Sequence, residues 1–312
     1  MLKNILLVSI FSTIAVMLWV GSLMYAPEGS HFQDDNLEDA IRDNLNLADE
    51  DAIVVNQLES LTHLDAAGYN IIDLNGISKL SNLESIDIAD NSINDISALY
   101  GMEHLTEINA GTNEIRDIEG IGALSRLETL NLEYNRLEDL APLAELGNLT
   151  ELNLQGNEVV TIAPLSDLTS LEHLNLRENQ IADLHPLSGL TALDHLDLRD
   201  NDIEEVTPLN GLAELESLDL RDNDVTDIEP LGNLMELQAL NLRNNAVISI
   251  APLESLTKLE DVNLRENNIT SVAPLQNHTN LTQRLYLADN SIEDIEVLEY
   301  SGFILEKDFD GQ

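Results

Sequence analysis

The chain has no cysteine, few aromatic residues and very few cations. Without cysteine there is no thiolate metal site, no cysteine nucleophile and no disulfide framework. That absence fits both an oxidising exterior and a cytosol, so it does not decide compartment. Only 14 of the 312 residues are Lys or Arg, against 58 Asp and Glu, for a formal net charge of −44. A phosphate backbone would be repelled by such a chain, which excludes nucleic acid as a partner. No segment has the form of a Walker loop, a nucleophile elbow or a Ser/His/Asp set, so catalysis is not expected. What is present is apolar residue content of 43%, enough to build a core and too much for a disordered acidic tail.

Residues 1–26 differ from all that follow. Lys3 is their only charge, and an apolar stretch of 22 residues runs from Ile5 to Ala26 and holds the only tryptophan, Trp19. As a helix it would be about 33 Å long, sufficient to span a bilayer. A positive end, an apolar run and then Pro27 with an acidic chain reads as a signal or anchor segment that places the remainder outside the cytoplasm. It serves either as an uncleaved membrane tether or as a signal removed to leave a secreted protein. A cut after Ser22 suits removal better than one after Ala26, where Met24 stands at −3 and Pro27 follows.

The rest of the chain has one period. An asparagine recurs every 22 residues at Asn91, Asn113, Asn135, Asn157, Asn179, Asn201, Asn223, Asn245 and Asn267, and again at Asn290 after one extra residue near Arg284. Pro142, Pro164, Pro186, Pro208, Pro230, Pro252 and Pro274 repeat with the same 22-residue spacing. In the unit that begins at Leu149, alternation predicts a short strand over Glu151 to Leu154. Leu149, Leu152, Leu154, Val159, Ile162, Leu165 and Leu168 are predicted to point inward. Pro164 pre-sets φ for a tight 3₁₀ return. One such unit cannot bury its own apolar edge, so neighbours must stack. The asparagines read as a structural ladder, because their amides can satisfy turn backbone groups that no strand reaches.

The phrase L-x-x-L-x-L-x-x-N, with I-x-P-L as in Ile228-Glu229-Pro230-Leu231, resembles the leucine-rich repeat family in its 22-residue, internalin-like bacterial subclass. The resemblance implies an α/β repeat solenoid. Its horseshoe or arc carries a parallel β-sheet on the concave face, a 3₁₀ or irregular convex side and a helical N-terminal cap. The expected organisation is residues 1–26 as signal or anchor and 27–60 as helical cap. Residues 61–297 form about eleven repeats, the first with Tyr69 in the asparagine slot, and 298–312 form a C-terminal cap or tail. In the N-terminal cap, Leu37, Ile41 and Leu45 share a helix face, with Asp34 or Asp35 as N-cap. Tyr300, Phe303, Ile304 and Leu305 are expected to cover the last turn. Neither a cell-wall sorting motif L-P-x-T-G nor room for the immunoglobulin-like domain of internalins follows the repeats, so an invasion function is not expected.

Residues beside the inward leucines should face the concave side. One column holds Asn153, Asn175, Asp197, Asp219 and Asn241. Another holds Arg177, Arg199, Arg221, Arg243 and Arg265, flanked by Glu178, Asp200, Asp222, Asn244 and Glu266. With strands about 4.8 Å apart, the arginines form a stripe roughly 20 Å long. It reads either as mutual neutralisation with neighbouring acids or as a stripe that grips carboxylates or sulfates of a ligand. His173 and His195 stack in one column with Glu151 a repeat earlier, a minimal metal set. Thr129, Ser217 and Ala239 share that column, so it reads as tolerant surface and no metal is assigned. The turns Asp200-Asn201-Asp202 and Asp222-Asn223-Asp224 lack an EF-hand glycine; they are compatible with weak surface calcium and with no dedicated cofactor. The function expected is a monomeric, non-catalytic binding scaffold whose concave face recognises a protein, with a glycan as second candidate. The rival readings are an intracellular phosphatase regulator and a metal-dependent hydrolase built on His173 and His195.

Overall fold

A computed structural model of the chain describes residues 32–48, 50–298 and 306–308. The apolar segment 1–26 and the capping residues Tyr300, Phe303, Ile304 and Leu305 lie outside them. Among the described residues, no helix is long and apolar enough to cross a membrane.

Each repeat contributes one three-residue strand: β1 (His63–Asp65), β2 (Ser85–Asp87), β3 (Glu107–Asn109), β4 (Thr129–Asn131), β5 (Glu151–Asn153), β6 (His173–Asn175), β7 (His195–Asp197), β8 (Ser217–Asp219), β9 (Ala239–Asn241), β10 (Asp261–Asn263) and β11 (Arg284–Tyr286). A two-residue β12 (Glu306–Lys307) follows. They form one parallel sheet in chain order, each pairing only with its sequence neighbours. The strand over 151–154 closes one residue early, at Asn153, and the tail adds a twelfth strand to the eleven units read in the sequence. Between strands the chain returns through 3₁₀ segments such as Ala141–Glu145 and Ala163–Leu165, with proline in the first positions, where its missing N–H costs nothing.

Burial follows the 22-residue period. Leu149, Leu152, Leu154, Val159, Ile162, Leu165 and Leu168 are each at most 2% exposed. In register, Leu130, Leu152, Leu174, Leu196 and Leu218 stack strand upon strand. The core is therefore a continuous apolar column sealed by nearest neighbours.

The asparagine ladder bonds adjacent turns together. Asn157 Nδ2 donates to the carbonyls of Leu154 (3.0 Å) and Gln155 (3.3 Å) in its own turn and of Leu132 (3.0 Å) in the preceding one. Its Oδ1 accepts the Leu137 N–H at 3.0 Å. The same four bonds recur at Asn201 and Asn223. At Asn290 the extra residue lengthens the reach back by one position, to Leu264 and Ile269, and the bonds survive.

The column that flanks the arginines, with its counterparts in the other repeats, has a backbone duty that its residue types do not declare. The residue before each ladder asparagine has positive φ: Asp90, Thr112, Tyr134, Gly156, Glu178, Asp200, Asp222, Asn244, Glu266 and Asp289 lie between 48° and 65°. A non-glycine residue there costs about 1–2 kcal/mol. The corner keeps its own N–H in the sheet, as in Glu178 N–H to Arg199 O at 2.9 Å, while turning the asparagine inward. The only sequence trace is the column's bias to Asp, Asn and Gly, mixed with Glu, Thr and Tyr.

At the N-terminal end, α1 (Asp35–Asn44) buries Leu37, Ala40 and Ile41 against the first repeats. Asp34 is the N-cap: one oxygen accepts the Asn36 N–H (2.9 Å), the other the N–H groups of Ile72 (2.7 Å) and Asp73 (3.1 Å). Partial burial pushes its pKa up, but the backbone donors outweigh this and hold it below the usual carboxylate value. Asn44 exchanges bonds with the Asp65 backbone, covering the free edge of β1 as a strand would. Tyr69, in the asparagine slot, donates its hydroxyl to Asp43 at 2.8 Å. At the other end, Asp308 accepts the Leu287 and Ala288 N–H groups at 2.6 and 3.2 Å.

Candidate functional site: the concave sheet

The two outward positions of each strand have different duties. At the second, an Asn or Asp oxygen accepts the backbone N–H two residues on, an Asx turn that bends the chain into the positive-φ corner. Asn153 does so for Gln155, Asn175 for Arg177, Asp197 for Arg199, Asp219 for Arg221 and Asn241 for Arg243, all at 3.0–3.1 Å. These five candidate contact residues thus have a backbone role that accounts for their type. Their remaining polar atoms face the concave surface: Asn153 Nδ2 meets Glu133, and Asn241 Nδ2 meets Asp219.

In this column Asp219 has a shifted titration. Burial pushes its pKa up, the Asp197 carboxylate adds to this, and the Arg221 N–H, Asn241 and Arg199 oppose it. Shifts of this kind concentrate where ligands bind, although charge networks also produce them.

The arginine stripe is paired throughout. Arg177 meets Glu178 (2.6 Å) and Asp200 (3.5 Å). Arg199 forks onto Asp197, with Nε 2.9 Å from each oxygen, and lies 3.5 Å from Asp219. Arg221 meets Asp222 (3.0 Å) and Asp200 (3.9 Å), and Arg243 meets Glu266 (2.7 Å). Arg265 binds Asp308 and covers the Tyr286 ring at 4.0 Å. The arginine side chains are a quarter to two-fifths exposed, a setting in which such pairs are worth about 0–1 kcal/mol each. Asp200 and Asp222, the first acid of each Asp-Asn-Asp turn, are thereby engaged with arginine.

Over β3 to β8 the sheet carries a groove of about 630 Å³ that ends at Arg199 and Asp219. The candidates Glu151, Asn153, His173, Asn175, His195 and Asp197 line it. Arg177, Arg221, Asn241, Arg243 and Arg265 are not among its lining residues; Asn241 borders a smaller hollow of about 160 Å³ that shares Asp219.

His173 and His195 stand opposite each other on β6 and β7, with ring centroids 4.8 Å apart at 77°. The carboxylate between them is Asp194, which the sequence reading did not single out. Its Oδ1 lies 3.2 Å from His173 Nε2 and 2.8 Å from His195 Nδ1. Glu151, taken from the sequence as the carboxylate of this set, lies on the far side, 3.6 Å from His173 Nδ1. Asp194 precedes its strand, where period-2 alternation no longer says which way a side chain leans.

Among known proteins, the family profile described as Leucine Rich repeats (2 copies) matches in overlapping pairs at residues 147–189, 169–214, 191–233, 213–255 and 236–277. The solved structure of an internalin (inlF) from Listeria monocytogenes is 30% identical, with a TM-score of 0.77, covering 92% of this chain and 98% of that one. Internalin C2 of the same organism is 29% identical over 86% of this chain and 96% of its own, with a TM-score of 0.54. The fold is shared with a plant membrane receptor kinase ectodomain from Arabidopsis thaliana, solved in complex with a Casparian strip integrity factor. That likeness is 24% identity and a TM-score of 0.63 over 75% of this chain and 33% of that one. No curated protein was found to match the sequence.

Proposed function

Because the chain belongs to the internalin group of leucine-rich repeat proteins, we propose that it is an exported, non-catalytic scaffold that recognises a protein through its concave sheet. The groove over β3 to β8 carries this reading: it is long, open and lined by amide, imidazole and carboxylate groups on a rigid sheet. Such a surface offers an extended polypeptide many hydrogen-bonding groups without reorganisation. Arg199 at its end, with Arg221 and Arg243 beyond, can exchange an internal acid for a ligand carboxylate. The complex of the plant ectodomain supports the same use of the fold. Residues 1–26, with Lys3 ahead of an apolar run, support export and a membrane tether.

A photo-crosslinking side chain placed at Thr129 or Asn153 on the concave sheet, and at exposed Val160 outside it, tests the reading in the native organism. Crosslinks to one protein from the concave positions and none from Val160 are expected. Replacing Arg199, Arg221 and Arg243 together with Ala should remove most of the affinity for that partner, since contact energy concentrates in a few central residues. Capture of polysaccharide instead of protein, or equal capture from Val160, would overturn it. Protease added to intact wall-stripped cells should digest the repeats; protection until lysis would sink the export part.

A further inference from the structure

We propose that His173, Asp194 and His195 bind one divalent transition-metal ion of the zinc class on the concave sheet. One ligand atom from each lies within 4.8 Å of the other two. The existing contacts, His173 Nε2 and His195 Nδ1 on a common Asp194 oxygen at 3.2 and 2.8 Å, already approach the spacing of ligands around a metal whose bonds are about 2.0–2.2 Å long. Small side-chain rotations would admit an ion where the carboxylate oxygen now meets the two rings.

The backbone beneath is held firmly. Asp194 N–H donates to Glu172 O at 3.0 Å, and Asp194 O accepts the Glu216 and Ser217 N–H groups at 2.8 and 3.0 Å. His173 and His195 are fixed in register on neighbouring strands. Two of the ligands therefore sit on strands, and Asp194, one residue ahead of β7, is held by backbone bonds to both neighbouring turns, an arrangement firmer than a free loop. Glu151, 3.6 Å from His173 Nδ1, is beyond hydrogen-bond reach as it stands and would have to close by about half an ångström to take that ring's N–H and leave Nε2 for the metal. Two imidazoles and a carboxylate select zinc, nickel or copper over calcium and magnesium, which demand oxygen ligands. Three protein ligands leave a coordination position for water, open to the groove that both histidines line. The proposal does not depend on the scaffold reading, since the ion binds without a partner.

The test is calorimetric titration of the full chain with Zn²⁺ alone, in buffer containing excess Mg²⁺ to occupy the acidic surface. One Zn²⁺ per chain is expected, weakened at least about tenfold by His173→Gln, by His195→Gln and by Asp194→Asn. His185→Gln, whose ring is 82% exposed beside Asp183, should leave it unchanged. In the unaltered protein, Zn²⁺ should shift the ring signals of His173 and His195 alone among its seven histidines. Full-strength binding by His173→Gln and His195→Gln, or equal shifts at all histidines, would show that the acidic surface binds the metal and overturn the assignment. Absence of any zinc binding above the Mg²⁺ background would do the same.

Discussion

Along the concave face, the column that follows the second inward leucine changes character midway. In the N-terminal half it reads Ala89, Gly111, Glu133 and Gln155; in the C-terminal half it is arginine from Arg177 to Arg265. The backbone beneath does not change: both halves have the positive-φ corner, the Asx bond and the inward asparagine. Structure is therefore carried by columns on either side of the variable one, which leaves that column free to differ. Where cations are missing, amides bridge neighbouring strands, as Asn131 Nδ2 does to Asn109 at 3.0 Å. Where arginine is present, each cation meets an acid: in its own and adjacent turns at Arg177, Arg199 and Arg221, in the next turn at Arg243 and in the C-terminal tail at Arg265. The groove begins in the first half and runs on past the first arginine, to the pair of Arg199 with Asp197 and Asp219.

The largest effect should fall where the halves are alike. Asn113→Ala and Asn223→Ala each strand three carbonyls and one N–H beneath the sheet. Each should lower unfolding free energy by on the order of 3 kcal/mol in urea denaturation. A much milder loss in one half would show that the two do not share a core. Next comes the boundary. Gly156 has a φ of +65°, and a Cβ there would lie 2.4 Å from the Tyr134 ring. Gly156→Ala should cost about 1–2 kcal/mol, whereas Gly147→Ala, with nothing within 4 Å, should be close to neutral.

Acid titration contrasts the paired half with the N-terminal end. Asp34 titrates below the usual carboxylate value, so its contribution is complete above about pH 4 and is lost as pH falls through its lowered pKa. Asp219 titrates above that value, so its contribution declines as pH rises from about 4 through its raised pKa. Urea midpoints measured from about pH 7 down to about pH 3 should give a flatter acid limb for Asp34→Asn and a steeper one for Asp219→Asn. The reverse order would contradict both environments. The smallest effect is expected from the arginines. Ala at positions 199, 221 and 243 together should change stability by about 1 kcal/mol or less. A larger loss would mean that the stripe holds the acidic columns together.

Much of the fold was legible because two ladders, asparagine and proline, share one period, and because buried leucines tolerate little else. The positive-φ corner was not legible. Its requirement falls on the backbone, and Thr112, Tyr134 and Glu266 meet it at some cost in strain without announcing it. The concave columns could be listed from the repeat, but their duties could not. Asn153 and Asp219 looked like ligand contacts, although one oxygen of each is occupied by the chain itself. Asp194 was missed because its lean toward two imidazoles is set by three-dimensional neighbours rather than by period. β12 was missed because a two-residue strand after the last repeat has no pattern of its own.

The asparagine bonds point one way along the chain: each side chain reaches back to the turn already made, as Asn201 does to Leu176 and Ile181. A ribosome delivers the N-terminal turns first. When a new asparagine emerges, its acceptor and donor in the previous turn are already in place, and the nascent solenoid can lock one turn at a time. The first template is α1, whose Asn44 presents a donor and an acceptor to β1 before any strand exists to pair with it. Growth of this kind exposes only the newest turn, which limits the apolar edge open to other nascent chains to a single repeat throughout synthesis.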